Sequence, residues 1–188
     1  MYLFLIPLLA GFAFNLASAF TAAFCRRWGE RRGRTATFVL RNILGIPLWA
    51  VGICFAVRLP APPLFAATST SAILAWLLLG AGAIVIIAAL FALRMRAALP
   101  STRDTLAEHG VYARVRHPIY AGMVLEFGGI VLAKPTLPVA VACALGLVWL
   151  SFQARFEEAD LLERVPGYRA YMGRVPRFLP RIRPRGPL

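Results

Sequence analysis

Gly110-Val111-Tyr112-Ala113-Arg114-Val115-Arg116-His117-Pro118-Ile119-Tyr120-Ala121-Gly122 is a polar cluster set between two long apolar runs. Polar groups wedged against a membrane span are costly and persist where they are used. Pro118 suits the first turn of a helix, where its missing N–H removes no bond. That places Arg116 and His117 at a helix mouth, beside unpaired N–H groups and the positive end of the dipole. Such a place holds an anionic or polar ligand. The plainer alternative makes Arg116 a basic flank of the span and His117 a helix cap.

The apolar runs on either side decide the class. Of 188 residues 60% are hydrophobic, and the mean hydropathy is +0.70; soluble domains have about 45–50% apolar residues. Several runs approach the roughly 20 residues a transmembrane helix needs. The sequence therefore predicts an all-α integral membrane protein of one domain, residues 1–188. The net charge of +13 would point to nucleic acid on a soluble chain. Here the arginines flank apolar spans, which favours anionic lipid headgroups and excludes nucleic acid as the partner. Cys25, Cys54 and Cys143 lie in or beside apolar runs without CxxC or metal-ligand spacing, so they read as packing residues and no metal is expected.

Five spans are expected. The first runs from Met1 to Phe24. Ala17-Ser18-Ala19 resembles a signal-peptidase site, but no basic stretch precedes it and arginines follow at once, so a retained span is the reading. The second is Phe38 to Val57, with Arg41 near its start as a snorkelling side chain. The third, Ser71 to Leu93, contains Gly80-Ala81-Gly82, which reads as a helix-packing surface of small residues rather than a dinucleotide loop. Residues 94–117 form a polar loop. Ile119 to Ala133 and Val139 to Phe152 are shorter spans expected to form a tilted or partly buried hairpin. Glu126 lies inside the fourth span. A lone membrane carboxylate is a candidate substrate contact, the alternative being a helix–helix hydrogen bond.

Basic residues set the expected orientation. Five arginines run from Arg26 to Arg34, five from Arg94 to Arg116 and eight from Arg155 onward, against only Arg58 and Lys134 in the other loops. Under the positive-inside rule the N-terminus is outside and the C-terminus cytoplasmic. The Gly110–Gly122 stretch then meets the C-terminal segment at one face. In that segment the fifth helix continues as Gln153-Ala154-Arg155-Phe156-Glu157-Glu158-Ala159-Asp160-Leu161-Leu162-Glu163-Arg164. Gln153 and Glu157 share a face, Asp160 and Arg164 make a helix-surface pair, Glu163 is solvated, and Val165-Pro166-Gly167 ends the helix.

Gly110-Val111-Tyr112, then Arg116-His117-Pro118-Ile119-Tyr120-Ala121-Gly122, Glu157-Glu158 with Leu161, Tyr168 and Tyr171, and Val175-Pro176-Arg177 with Pro180 together resemble the isoprenylcysteine carboxyl methyltransferases and their phospholipid methyltransferase relatives. The resemblance covers about Thr105 to Pro180. It implies a helical membrane enzyme that uses S-adenosylmethionine without a Rossmann fold, with the cofactor-binding and catalytic region in residues 101–180; residues 1–100, the three N-terminal spans, match only as generic membrane spans. It implies a cofactor site of Asp104, Thr105, Leu106, Ala107, Tyr112, His117, Pro118, Ile119, Tyr120 and Glu157 at the cytoplasmic face. Arg116, Gln153, Arg155 and Glu157 are the catalytic candidates. The chemistry agrees, because a sulfonium cation gains from carboxylates and aromatic faces, and its carboxylate gains from an arginine or a helix N-terminus.

Members of the family often carry Arg where this chain has Gln153. The departure turns the expectation from a prenylcysteine carboxylate toward a lipophilic phenol, enol, thiol or amine entering from the bilayer, contacted by Gln153, Arg155 and Glu126. Several five-span members of this kind are bacterial, so a bacterial inner membrane is the expectation. Two rivals remain at this level: an NADPH-dependent reductase of an unsaturated lipid, which the RHPxY core also permits, and a non-catalytic membrane protein.

Overall fold

The computed structural model describes residues 2–93 and 105–180, and its regular structure there is helical. The elements are α1 (Leu5–Ser18), α2 (Thr21–Trp28), α3 (Glu30–Phe38), a π-helical segment (Val39–Gly45), α4 (Ile46–Arg58), α5 (Ser69–Leu93), a 3₁₀ turn (Gly110–Ala113), α6 (Pro118–Ala133), α7 (Leu137–Arg164) and α8 (Tyr168–Arg174). No strand occurs among the described residues. Asp104, expected at the cofactor site, lies outside the described residues.

By length and apolar composition three helices can cross a membrane: Glu30–Arg58, Ser69–Leu93 and Leu137–Arg164. The bent pair α1 and α2 can supply a fourth, and α6 is a shorter apolar helix. The expected single first span is thus two helices meeting at 64°. The Ser18 hydroxyl bonds back to the Asn15 carbonyl at 2.6 Å, a contact that bends helices. Phe20, at φ −93° and ψ 46°, breaks the ladder, and α2 restarts with its Ala22 N–H donated to the Asp160 carboxylate at 2.7 Å.

The second span begins earlier than expected, at Glu30, and passes through the π-helical segment. Pro47 stands at the start of α4. It has no N–H to give the carbonyl four residues back, and the widened turn before it absorbs that loss. α1 crosses this helix at backbone contact: a Cβ on Gly11 would lie 2.3 Å from the Trp49 nitrogen and 2.8 Å from the Gly45 oxygen.

α7 is the central helix. Half of its most apolar 18-residue window is buried, against 17% for the Glu30–Arg58 and α5 windows. The core joins Phe4, Leu8 and Phe12 of the N-terminal region to Ile53 and Ala56 of α4, Met123 and Phe127 of α6, and Val139, Ala142, Trp149 and Leu150 of α7. α5 packs along α6, where Gly82 and Gly122 face each other so closely that a Cβ on either would meet the other's carbonyl at 2.7–2.8 Å. At one end of the molecule Leu64 N–H donates to the Pro135 carbonyl at 2.6 Å, joining the two turns that carry few basic residues. At the other end Arg26 pairs with Glu163, and the arginine-rich segments gather there.

Candidate functional site at the basic end of the helices

Pro118 starts α6 and His117 is its N-cap residue, as the sequence predicts, but no side-chain cap bond is made. The His117 ring instead turns to Glu158 of α7, with Nε2 3.1 Å from Oε1. Arg116 donates Nε–H to the same oxygen at 2.9 Å, and its Nη1 reaches the Met172 carbonyl at 2.9 Å and the Val175 carbonyl. Arg177 also pairs with Glu158. Backbone bonds complete the clasp: Arg116 N–H to Pro176 O at 2.8 Å and His117 N–H to Arg177 O at 3.0 Å. The anion at the mouth of α6 is therefore the protein's own Glu158, whose side chain is 4% exposed. The geometry gives Arg116 a fastening role, although it still lines the cavity beside it.

That cavity has a volume of about 470 Å³, within the ~300–1,000 Å³ usual for small-molecule sites. Its polar end is lined by Thr105, Leu106, Ala107, Tyr112, Arg116, His117, Tyr120 and Glu157, with Tyr168 and Tyr171 of α8. Its apolar end is lined by Ile46 and Trp49 of α4, Ile86, Leu90 and Leu93 of α5, Met123 of α6 and Trp149 of α7, with Glu126 among them. Ile119, in the first turn of α6, lines the cavity as well. Pro118 is buried at the helix start and is not among the lining residues.

Glu157 occupies the wall between the ends. Its Oε1 accepts from Arg41 Nη2 at 3.1 Å and from Gln153 Nε2 at 2.9 Å, and Tyr120 lies within hydroxyl reach of both Glu157 and Gln153. The expected shared face of Gln153 and Glu157 is thus realised as a bond. Gln153 itself is 1% exposed. It supports Glu157 and is not among the lining residues, while its Oε1 and the Trp149 Nε1 are buried without a partner among the described residues. Arg155 is exposed and outside the cavity lining. Arg155 and Gln153 stand on different faces because two positions along a helix point about 200° apart.

Aromatic rings cluster in and beside the cavity. His117 stacks on Tyr120 with centroids 5.3 Å apart and planes 6° apart. Phe178 lies 6.0 Å from His117, and Trp149 lies 6.5 Å from Tyr120 and 6.2 Å from Trp49. The Tyr171 hydroxyl donates to the Tyr112 carbonyl at 2.7 Å. Burial pushes the Tyr171 phenol up to about 12 and raises those of Tyr112 and Tyr168 as well. All three stay protonated near neutrality and serve as donors, not bases. The hydrogen bond to Glu158 raises the Arg177 guanidinium in turn.

Two readings from the sequence need correction. Asp160 and Arg164 do pair, at 2.6 Å, but their side chains are only 6% and 8% exposed; the pair is buried under α2 rather than on a helix surface. Arg41 is not a snorkelling flank, because it reaches across to Glu157. Arg41, Trp49, Trp149, Tyr168 and Tyr171 were not singled out as site residues. The signal for Arg41 was its cost, a guanidinium inside an apolar run. Glu126 makes no hydrogen bond or ion pair among the described residues, so the helix–helix bond considered for it is absent there.

A family model described as phospholipid methyltransferase matches residues 70–169, which span α5 through the start of α8 and so most of this cavity. No curated protein and no solved structure matches the chain.

Proposed function

We propose, from the premise that the chain belongs to the phospholipid methyltransferase family and so to a family of membrane methyltransferases, that S-adenosylmethionine is its methyl donor and a lipophilic molecule its acceptor. The observation that carries this reading is one continuous cavity with a carboxylate- and tyrosine-rich end and an apolar end bounded by α4, α5 and α6.

The residues fit the donor's chemistry. A sulfonium cation is stabilised by the Glu157 carboxylate and by the stacked faces of His117 and Tyr120. The protonated hydroxyls of Tyr112 and Tyr168 suit the polar periphery of a nucleoside. The donor supplies, when bound, an electrophilic methyl group. The chain's own work is positional. Arg41 and Gln153 hold Glu157 at a fixed place, and residues 165–178 roof the polar end. Trp49, Trp149, Ile86 and Leu90 keep water from the acceptor's path. Methyl transfer of this kind needs alignment more than acid–base assistance.

The acceptor enters from the bilayer with its tail along the apolar end and its head beside Tyr120. Each buried CH₂ contributes about 0.8 kcal/mol, so the tail dominates affinity. The neutral Gln153, in place of an arginine, favours a neutral or weakly acidic head over a carboxylate. Arg155 is not needed for this contact, since it faces away. The site is read at the cytoplasmic face of a bacterial inner membrane, with the N-terminus outside. Exposed arginines such as Arg169 and Arg174 lie near anionic headgroups there.

The test is calorimetric titration of the purified protein with S-adenosylmethionine and, separately, with NADPH. Saturable binding of the first, weakened by His117→Ala and Glu157→Ala in protein that still purifies folded, supports the reading. Binding of NADPH alone overturns it in favour of a reductase.

A further inference from the structure

Glu126 is the one carboxylate among the residues lining the apolar end of the cavity. It stands on α6 in the stripe Ile119, Met123, Glu126, facing α5, and it has no hydrogen bond or ion pair among the described residues. The fold makes room for it. A Cβ at Gly82 would lie 2.7 Å from Glu126 Cγ, so the absence of a side chain there is what seats the glutamate stem in the α5–α6 crease. A carboxylate half-buried in an apolar crease of a membrane helix pair is costly unless something meets it, and the neighbours Ile86 and Met123 offer nothing polar.

We infer that Glu126 is a second recognition point for the acceptor and that it takes a hydrogen-bond-donating group, a hydroxyl or an amine, carried on the acceptor's apolar body. Glu126 stands six positions beyond Tyr120, an axial rise of roughly 9 Å with the two side chains about 120° apart around α6. The acceptor is accordingly two-headed: one polar group at the methyl-transfer end beside Tyr120, and a donor about one such length deeper in the membrane. This deepens the proposed methyl transfer and rests on the acceptor lying in this cavity.

A matched pair of long-chain alkylphenols tests it. One carries a hydroxyl on the tail about 9 Å from the phenol oxygen; the other carries the same group as a methyl ether. Binding to detergent-purified protein is measured by ligand-induced thermal stabilisation, which does not depend on turnover or on the methyl donor. The wild type is expected to bind the hydroxyl compound roughly tenfold to a hundredfold more tightly. Glu126→Leu removes that preference while still binding the ether, and Glu126→Gln keeps part of it. Equal binding of the pair by the wild type, a preference that survives Glu126→Leu, or no binding of either compound overturns the proposal. Separate titration with S-adenosylmethionine distinguishes a failure here from a failure of the methyltransferase reading: the first leaves cofactor binding intact.

Discussion

Arg116 and Glu158 meet at 2.9 Å across 42 positions of sequence, and this pair joins the segment before α6 to the end of α7. His117 and Arg177 reach the same carboxylate. The hub orders the polar end of the cavity by tying residues 175–177 over it, and it explains why the RHP core and the second glutamate belong together in one chain.

Removal of Glu158 leaves buried cations without their partner. Glu158→Ala is expected to destabilise the fold by about 3–5 kcal/mol. Glu163→Ala, whose pair with Arg26 is exposed on both sides, should change stability by less than about 1 kcal/mol. Thermal unfolding of the two variants in the same detergent decides the matter; comparable losses would sink the role given to the hub.

Asp160 holds two things at once, the Ala22 N–H and the Arg164 guanidinium. Asp160→Ala should free both, while Asp160→Asn keeps an oxygen for the cap and costs less. Hydrogen exchange at the amides of α2 is the readout, with faster exchange at Ala22 in the alanine variant. Protection unchanged in that variant would show that α2 is held by something else.

Arg41 fixes Glu157 from the far side of the cavity. Arg41→Ala is expected to weaken S-adenosylmethionine binding roughly tenfold, less than the loss from Glu157→Ala, which removes a charged hydrogen-bond partner and costs about 1.5–3 kcal/mol. Arg41→Lys should recover part of the loss, since a point charge replaces only part of a guanidinium's contact. Calorimetry on the three variants separates positioning from direct contact: an unaffected Arg41→Ala would mean Glu157 keeps its place unaided.

Two neighbouring glycines of α5 give opposite expectations. Gly82→Ala forces a methyl into Glu126 and the Gly122 carbonyl and should cost about 1–3 kcal/mol. Gly80→Ala meets nothing within 4 Å and should be neutral or slightly stabilising, because alanine is the better helix former. Unfolding midpoints of the pair measure whether α5 and α6 touch where Gly82 places them.

Much of the architecture was legible in the sequence. Apolar runs located the helices, Pro118 marked the start of α6, and Val165-Pro166-Gly167 marked the end of α7, where Gly167 adopts φ 81°. The lining residues Thr105, Leu106, Ala107, Tyr112, His117, Ile119, Tyr120 and Glu157 were named through the family resemblance rather than from any local pattern. What escaped depends on partners far apart in the chain. Arg41 acquires its meaning from Glu157, 116 positions later, and no local pattern announces that. Asp160 looks like half of an i,i+4 surface pair until α2 is laid across it. The bend at Phe20 is hidden because the residues on both sides of it, as far as Phe24, are mostly apolar, so hydropathy runs across it unbroken.

The π-helical segment from Val39 to Gly45 also sets which residues the chain turns toward the cavity. A π-helical turn closes i→i+5 bonds and so holds about one residue more than an α-helical turn, the surplus being absorbed between α3 and α4. A chain one residue shorter at this point would keep α3 against α2 and α4 against α1. It would change chiefly what residues 41 and 42 present to the cavity. Length variation of one residue here is therefore a route by which related chains can gain or lose a guanidinium opposite Glu157 without rebuilding the bundle.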